Sequence, residues 1–392
     1  MRTPLRRMYV LSFLFSLHIA ISAYVNSTFL TSIISEKYVG ILYTIGSVLA
    51  LLALSNTSVV LNNLGNRRLT FILLLINILA LTAIIKSHDP YIIGSAFVAF
   101  ITTNTLIAFC LDIFIEHFGN PETVGKTRGM YLTITNLAWF ISPLITGYLI
   151  VREGGYIAIY AMAFVATAIM IIGLFFSVTT FKDKIYNKTP FLKTYKFLKT
   201  NRHIKSITII NFILQFFFAV MVVYTPIYLV GHMGLTWNKI GVIFTFMLLP
   251  FVILALPIGI LVDKYHFKKR NLLTTGIIIT ALATACITFT NTTNIFWWAL
   301  ILFLTRVGAS IIETVSEIYF FTHVKEEDSA LLSVFRDMSP IGYIVGTLFG
   351  TAFLSFFPFK YLFLTLGLIV ILALYYITHL KHHHEEYPNA NQ

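Results

Sequence analysis

The residues able to do chemistry in this chain are few, and several lie where such residues are expensive. Arg306, Ser310, Glu313 and Glu317 fall within one long apolar run, Asn104, Thr105, Asp112 and Glu116 within another, and His18 and Gln215 in the middles of two more. A guanidinium is a permanent charge that can hold an anionic group or order water. Histidine titrates near neutral pH, and a carboxylate in an apolar cavity can titrate there too, so His18, Glu313 and Asp112 are candidate proton carriers. Nothing in these spacings matches a metal site or a nucleophile with its base, and no GxxxxGK[ST] phosphate loop occurs. The chain therefore reads as neither an enzyme nor a user of ATP or another cofactor. Cys110 and Cys286 stand apart inside apolar runs and read as small core residues.

The elements that must position these groups follow from composition. Of 392 residues, 57% are hydrophobic and 11% charged, with a mean hydropathy of +0.83. A soluble domain carries about 25% charged residues, so there is too little polar surface for a water-soluble particle. Soluble enzymes, nucleic-acid binders and disordered proteins are excluded. The net charge of +12 is not gathered into a basic face with interleaved aromatics, as nucleic acid would require.

A bilayer-spanning helix needs about 20 mainly apolar residues. Twelve runs meet this, near 8–33, 38–61, 69–87, 91–118, 128–151, 155–180, 204–230, 239–263, 271–290, 294–322, 329–356 and 359–380. They are continuous, without the alternation of an outer-membrane barrel, so the expected fold is an all-α membrane protein. The start, with Arg2, Arg6 and Arg7 before an apolar run, imitates a secretory signal. A further span follows it, so it reads as a retained first helix. With a cytoplasmic N-terminus, 21 Lys and Arg face the cytoplasm and five the other side, while Arg306 and Arg336 fall within helices. The positive-inside rule then puts both termini in the cytoplasm. Short loops fit a bacterial inner membrane. The basic stretch 181–203 divides two six-helix bundles, 1–180 and 204–380, and leaves 381–392 as a cytoplasmic tail. Its lysines and aromatics fit a helix on the anionic inner leaflet or a solvated linker equally well.

The bundles repeat each other. At an offset of 201, LNNLGNRRLTF from Leu61 falls on VDKYHFKKRNL from Val262, VGILYTIG from Val39 on IGVIFTFM from Ile240, and Asp112 and Glu116 on Glu313 and Glu317. Parallel six-helix repeats with a midplane substrate site are the build of one large transporter class.

At these residues the chain resembles the major facilitator superfamily. The motif joining helices 2 and 3 of that family stands in the second half as Gly259, Asp263, Lys264, Lys268, Lys269 and Arg270, with Phe267 where glycine is usual. The first half keeps Gly65, Arg67 and Arg68 but has Ser58 and Asn62 in place of glycine and aspartate. A helix-5 motif of family antiporters is matched in part by Gly129, Ala138, Ser142, Pro143, Thr146 and Gly147. The resemblance implies two six-helix bundles moving a small solute by alternating access, with helices 1, 4, 7 and 10 lining a central cavity. It also implies a substrate or proton pathway among His18, Asn104, Thr105, Gln215, Arg306 and Ser310; the other reading is that Arg306 reaches down to Glu313 and only stabilises the bundle, while His18 and Gln215 bond to neighbouring backbone.

On helix 10, Arg306, Ser310, Glu313 and Glu317 fall within roughly 60° of one another, with Glu313 about 10 Å nearer the cytoplasm than Arg306. The deep acids Asp112, Glu116, Glu313 and Glu317 lie within reach of the basic turns and of Arg336 and Asp337. The resemblance makes them a charge latch on the cytoplasmic side; direct proton carriage is the other reading. The function expected is proton-coupled export of a small solute by a monomer, with proton-coupled uptake of a small polar or anionic nutrient as alternative. A membrane enzyme or a signalling protein on a transporter scaffold are remote readings. Asp263→Asn is expected to shift the inward/outward distribution in a distance measurement between labelled helices; an unchanged distribution removes Asp263 from the latch.

Overall fold

In hydrocarbon no water can satisfy a backbone N–H or C=O, so an apolar stretch must close its hydrogen bonds internally as helix. The computed structural model describes residues 3–119, 124–152, 155–179, 181–183, 201–263, 267–323 and 329–380. Among them the twelve apolar runs become helices: α1 (Thr3–Ala23), α2 (Glu36–Ser55), α3 (Asn66–Lys86), α4 (Pro90–Phe118), α5 (Val124–Arg152), α6 (Tyr156–Ser177), α7 (Arg202–Ile227), α8 (Trp237–Ile253), α9 (Lys269–Ile287), α10 (Ile295–His323), α11 (Ser329–Phe356) and α12 (Tyr361–Ile371). Several continue past a break, α1 as Asn26–Thr31, α2 as Thr57–Leu64, α8 as Ala255–Asp263 and α12 as Ala373–Ile377. Beyond Pro226 the chain of α7 widens into a π-turn, Tyr228–His232. Of the twelve, eleven are long and apolar enough to cross a membrane outright, and Tyr361–Ile377 is a shorter apolar helix. The chain is a multi-pass integral membrane protein. Most of the linker and all of the C-terminal tail lie outside the described residues.

Contacts divide the chain into two units, Met1–Lys188 with Leu229–Thr245, and Thr189–Tyr228 with Phe246–Gln392. Within the first, α1 packs on α4, α5 and α6, α3 on α4 and α6, and α2 on α4. Within the second, α7 packs on α10, α11 and α12, α9 on α10 and α12, and the continuation of α8 on α10. Each pairing is its counterpart moved on by six helices, so the sequence repeat is also a repeat of packing. The register is not constant, however. Helices α2 and α8 begin 201 positions apart, whereas α4 and α10, both 29 residues long, begin 205 apart. The longer connection before α10 slips the second copy by about one helical turn. By that register Asp112 falls on Glu317, not on Glu313.

Glycines set how closely the helices approach, as expected where dispersion must replace the hydrophobic effect. A Cβ on Gly308 of α10 would run into the Thr280 side chain and the Gly276 carbonyl of α9, and one on Gly276 would stand 2.9 Å from the Gly308 carbonyl. On α11, Gly342 lies against Gln215, Gly346 against Ala219 and Gly350 against the Tyr224 ring, a stripe along α7. Gly308→Leu is expected to cost on the order of 1–3 kcal/mol by overpacking and to reduce the folded fraction in size-exclusion and thermal-unfolding measurements. Gly231→Ala, at a position with nothing within 4 Å, should leave both unchanged.

Candidate functional site

The first unit buries a continuous polar network among its helices. His18 of α1 is 1% exposed, between the rings of Phe15 and Phe100. Its Nε2 lies 3.0 Å from Asn104 Oδ1 on α4. Asn77 of α3 donates from Nδ2 to that same Oδ1 at 2.9 Å and to Thr103 Oγ1 at 2.8 Å. On the other side of the ring, His18 Nδ1 lies 3.2 Å from the Ala163 carbonyl and 3.2 Å from Thr167 Oγ1, both on α6. The Thr167 hydroxyl in turn reaches the Ala163 carbonyl at 2.9 Å. Four helices thus meet around one imidazole, α3 through Asn104 and the others directly. Thr105, next to Asn104, is half-buried and donates back to Ile101 O of its own helix.

The second unit is built around a cation. Arg306 of α10 is 2% exposed, and its guanidinium lies over the rings of Phe217 (5.2 Å) and Phe218 (5.4 Å) of α7. Adjacent rings on one helix offer their negative faces to a desolvated cation, an arrangement worth up to about 2 kcal/mol. Ser310, a turn further on, donates to Pro250 O at 3.4 Å, in the stretch where α8 breaks. Glu313 is half-buried, close enough to both Arg306 and Glu317 for their charges to act on it. Gln215 of α7 is half-buried and donates to Asn211 Oδ1 at 3.4 Å, while Asn211 donates to Phe335 O of α11 at 3.1 Å. Gln215 thus belongs to the α7–α11 contact.

The charged clusters are placed in part. Arg67 is half-buried with its guanidinium 6.0 Å from the centre of the Phe175 ring, Arg68, Glu116, Glu317 and Lys268 are exposed, and Asp112, Arg270 and Asp337 are half-buried. Lys269 is 3% exposed at the start of α9, its ammonium over the ring of Tyr319 at 5.7 Å. Lys264 lies outside the described residues, as do the side chains of Asp263 and Arg336. At the turn before α3, Gly65 has a positive φ of 76°, and Asp183 from beyond α6 caps the helix by accepting from Asn66 N at 2.6 Å. Neither the Asp183 cap nor the Lys269–Tyr319 contact carries a local sequence signal.

Of the helix-5 residues, Gly129 lies in the first turns of α5, and Ala138 and Ser142 are fully buried. Thr146 donates to Ile21 O of α1 at 2.8 Å. Pro143 and Gly147 meet the start of α8 backbone to backbone: a Cβ on Gly147 would stand 2.8 Å from Trp237 O, and one on Gly241 2.6 Å from Pro143 O. On that side of the first unit His232 and Glu36 also pair, at 3.1 Å. One reading is corrected. Cys110 is buried, but Cys286 is exposed on α9, because an apolar run in a membrane protein has a face for lipid as well as one for the core.

The family model of the Major Facilitator Superfamily matches residues 8–247 and again 238–392. The chain belongs to this superfamily. Two solved structures share the fold over almost the whole chain. The human organic anion transporter MFSD10 (TETRAN) is 12% identical with a TM-score of 0.65, covering 96% of this chain and 100% of that one. The nucleoside transporter NupG, solved as a point mutant, is 12% identical with a TM-score of 0.75, covering 97% and 100%. No curated protein sequence matches the chain. This superfamily member is therefore a transmembrane transporter of a small molecule and not an enzyme.

Arg306→Ala and Arg306→Gln are expected to insert and accumulate normally and to lose at least about tenfold in transport, about 1.4 kcal/mol in the rate-limiting step. Full activity in both would remove Arg306 from the pathway.

Proposed function

We propose that this superfamily member is a secondary active transporter that exports a small solute in exchange for protons, working as a monomer by alternating access. The observation that supports proton coupling is His18, an imidazole able to bind and release a proton, held inside the first unit by hydrogen bonds to two other helices. What favours export is the partial antiporter motif on helix 5, whose Ser142, Pro143, Thr146 and Gly147 are buried in contacts with neighbouring helices. Asp112, Glu116, Glu313 and Glu317, with the basic turns, Arg336 and Asp337, serve as the cytoplasmic latch, and the excess of Lys and Arg places both termini in the cytoplasm, as in a bacterial inner membrane.

Arg306 favours a second reading, proton-coupled uptake of a small polar or anionic nutrient. A buried guanidinium on α10 supplies the charge such a solute needs.

A fluorescence pH-gradient assay in everted membrane vesicles tests both. Lipophilic cations, weak acids, amino acids and sugars are added in turn to vesicles carrying the wild type or Arg306→Ala. Export by antiport predicts that one compound class discharges an established gradient through the wild type alone. Uptake predicts that substrate moves protons in its own direction, giving the opposite sign of signal. No response from folded protein to any compound ends the proton-coupled reading.

A further inference from the structure

We infer that His18 is a reversible proton-binding site enclosed within the first unit, with Asn77 and Asn104 fixing its tautomer and the Thr167 hydroxyl acting as the switch between its two charge states. The inference rests on the proton-coupled reading above and assigns the group that takes the proton.

The argument starts from Asn104 Oδ1. With the Asn77 amide turned so that Nδ2 faces Asn104, the atom it meets at 2.9 Å is the Asn104 carbonyl oxygen. His18 Nε2, 3.0 Å from that same oxygen, must then carry a hydrogen. The neutral ring is therefore the Nε2–H tautomer, and Nδ1 holds the free electron pair. Facing Nδ1 at 3.2 Å is Thr167 Oγ1, whose hydroxyl donates to it in this state.

When a proton arrives it bonds to that electron pair, and both ring nitrogens become donors. Burying a charge is costly unless it is hydrogen-bonded, and here the acceptors are already in place. Nε2–H keeps Asn104 Oδ1, while Nδ1–H points at the Ala163 carbonyl and Thr167 Oγ1, both at 3.2 Å. The Thr167 hydrogen rotates away to the Ala163 carbonyl, 2.9 Å from its oxygen. No heavy atom has to move. A histidine that merely filled space would need partners for one protonation state only.

The groups facing His18 from the packed helices contain no competing charge among the described residues. Phe15 and Phe100 flank the ring, and Tyr160 of α6 is committed to Asn26 Oδ1 at 2.9 Å. The charged residues of α1, α3, α4, α5 and α6 cluster toward the helix ends: Arg6 and Arg7, then Arg67, Arg68 and Lys86, then Asp112, Glu116 and His117, then Lys126, Arg128 and Arg152, with none in α6. Asp112 lies about 12 Å along α4 from Asn104.

The test is nitrogen NMR of the full-length protein, labelled at its 11 histidines and reconstituted in lipid, recorded across the pH range in which it stays folded. The expected result is one resonance pair, absent from His18→Gln, that passes from the Nε2–H tautomer to a ring protonated on both nitrogens. Asn104→Leu should turn the neutral ring over to the Nδ1–H tautomer, donating to Ala163, which a purely structural histidine would also permit; the titration itself is what that role would not produce. A His18 signal that keeps one neutral tautomer throughout overturns the proposal, even if vesicle assays show proton-coupled transport. A titrating His18 in a protein whose transport moves no protons overturns the coupled reading and leaves the proton site standing.

Discussion

In a bilayer core every backbone polar group must find its partner inside the protein, and this structure follows from that constraint. It turns the apolar runs into helices. It also explains why the hydroxyls of Thr44, Thr82, Thr245, Thr274, Thr280 and Thr284 each donate to the carbonyl four residues back in their own helix. Groups too large or too polar for that local solution have to be met by other helices. His18, Asn77, Asn104 and Thr167 meet one another across four helices, and removing the Asn104 amide would leave His18 Nε2 without its side-chain acceptor, at about 1–3 kcal/mol per buried unsatisfied group. Arg306 meets ring faces on α7 as part of its surroundings.

These two centres differ in kind. A guanidinium keeps its charge at any physiological pH, so Arg306 can attract, orient or exclude, but it cannot hand over a proton. An imidazole can hold or release one, provided that both states are hydrogen-bonded. The chain places these two abilities on different units.

Much of the scaffold was legible in the sequence because hydrophobicity acts over whole helices. Twelve runs of about the right length become helices within a few residues of their expected ends, and a repeat seen as three matching fragments becomes a repeat of helix pairings. The breaks near Tyr24, Asn56, Leu254 and Leu372 were not legible, since none carries a distinctive local signal beyond Pro250 before the third. The site was half legible. Arg306 and His18 announced themselves as polar residues in apolar surroundings, but their partners did not. Asn77 lies within the apolar run from Phe71 to Ile84 and could have been noticed by the same rule, whereas Phe217 and Phe218 look like any other apolar pair. Which face of a helix turns toward which neighbour depends on residues far away along the chain, and a single sequence gives that only coarsely.

The repeat sharpens this point, because the halves share their packing but not their polar apparatus. At the offset of 201 set by the matching sequence fragments, His18 corresponds to Ala219 and Asn77 to Ile278. Ala219 lies against Gly346 of α11, close enough that a Cβ on that glycine would stand 3.0 Å from its methyl group. An imidazole has no room there: the second unit spends the space on helix–helix contact. By the register of α4 and α10, Asn104 corresponds to Ala309 and Arg306 to Ile101. Each half has thus kept the helix pairings that hold a six-helix bundle together, while its buried polar residues have diverged. Pairings are fixed by many small contacts that tolerate exchange, but a buried polar group such as the His18 imidazole depends on particular partners. It therefore changes as a set, and the two halves are free to become different in chemistry while remaining alike in shape.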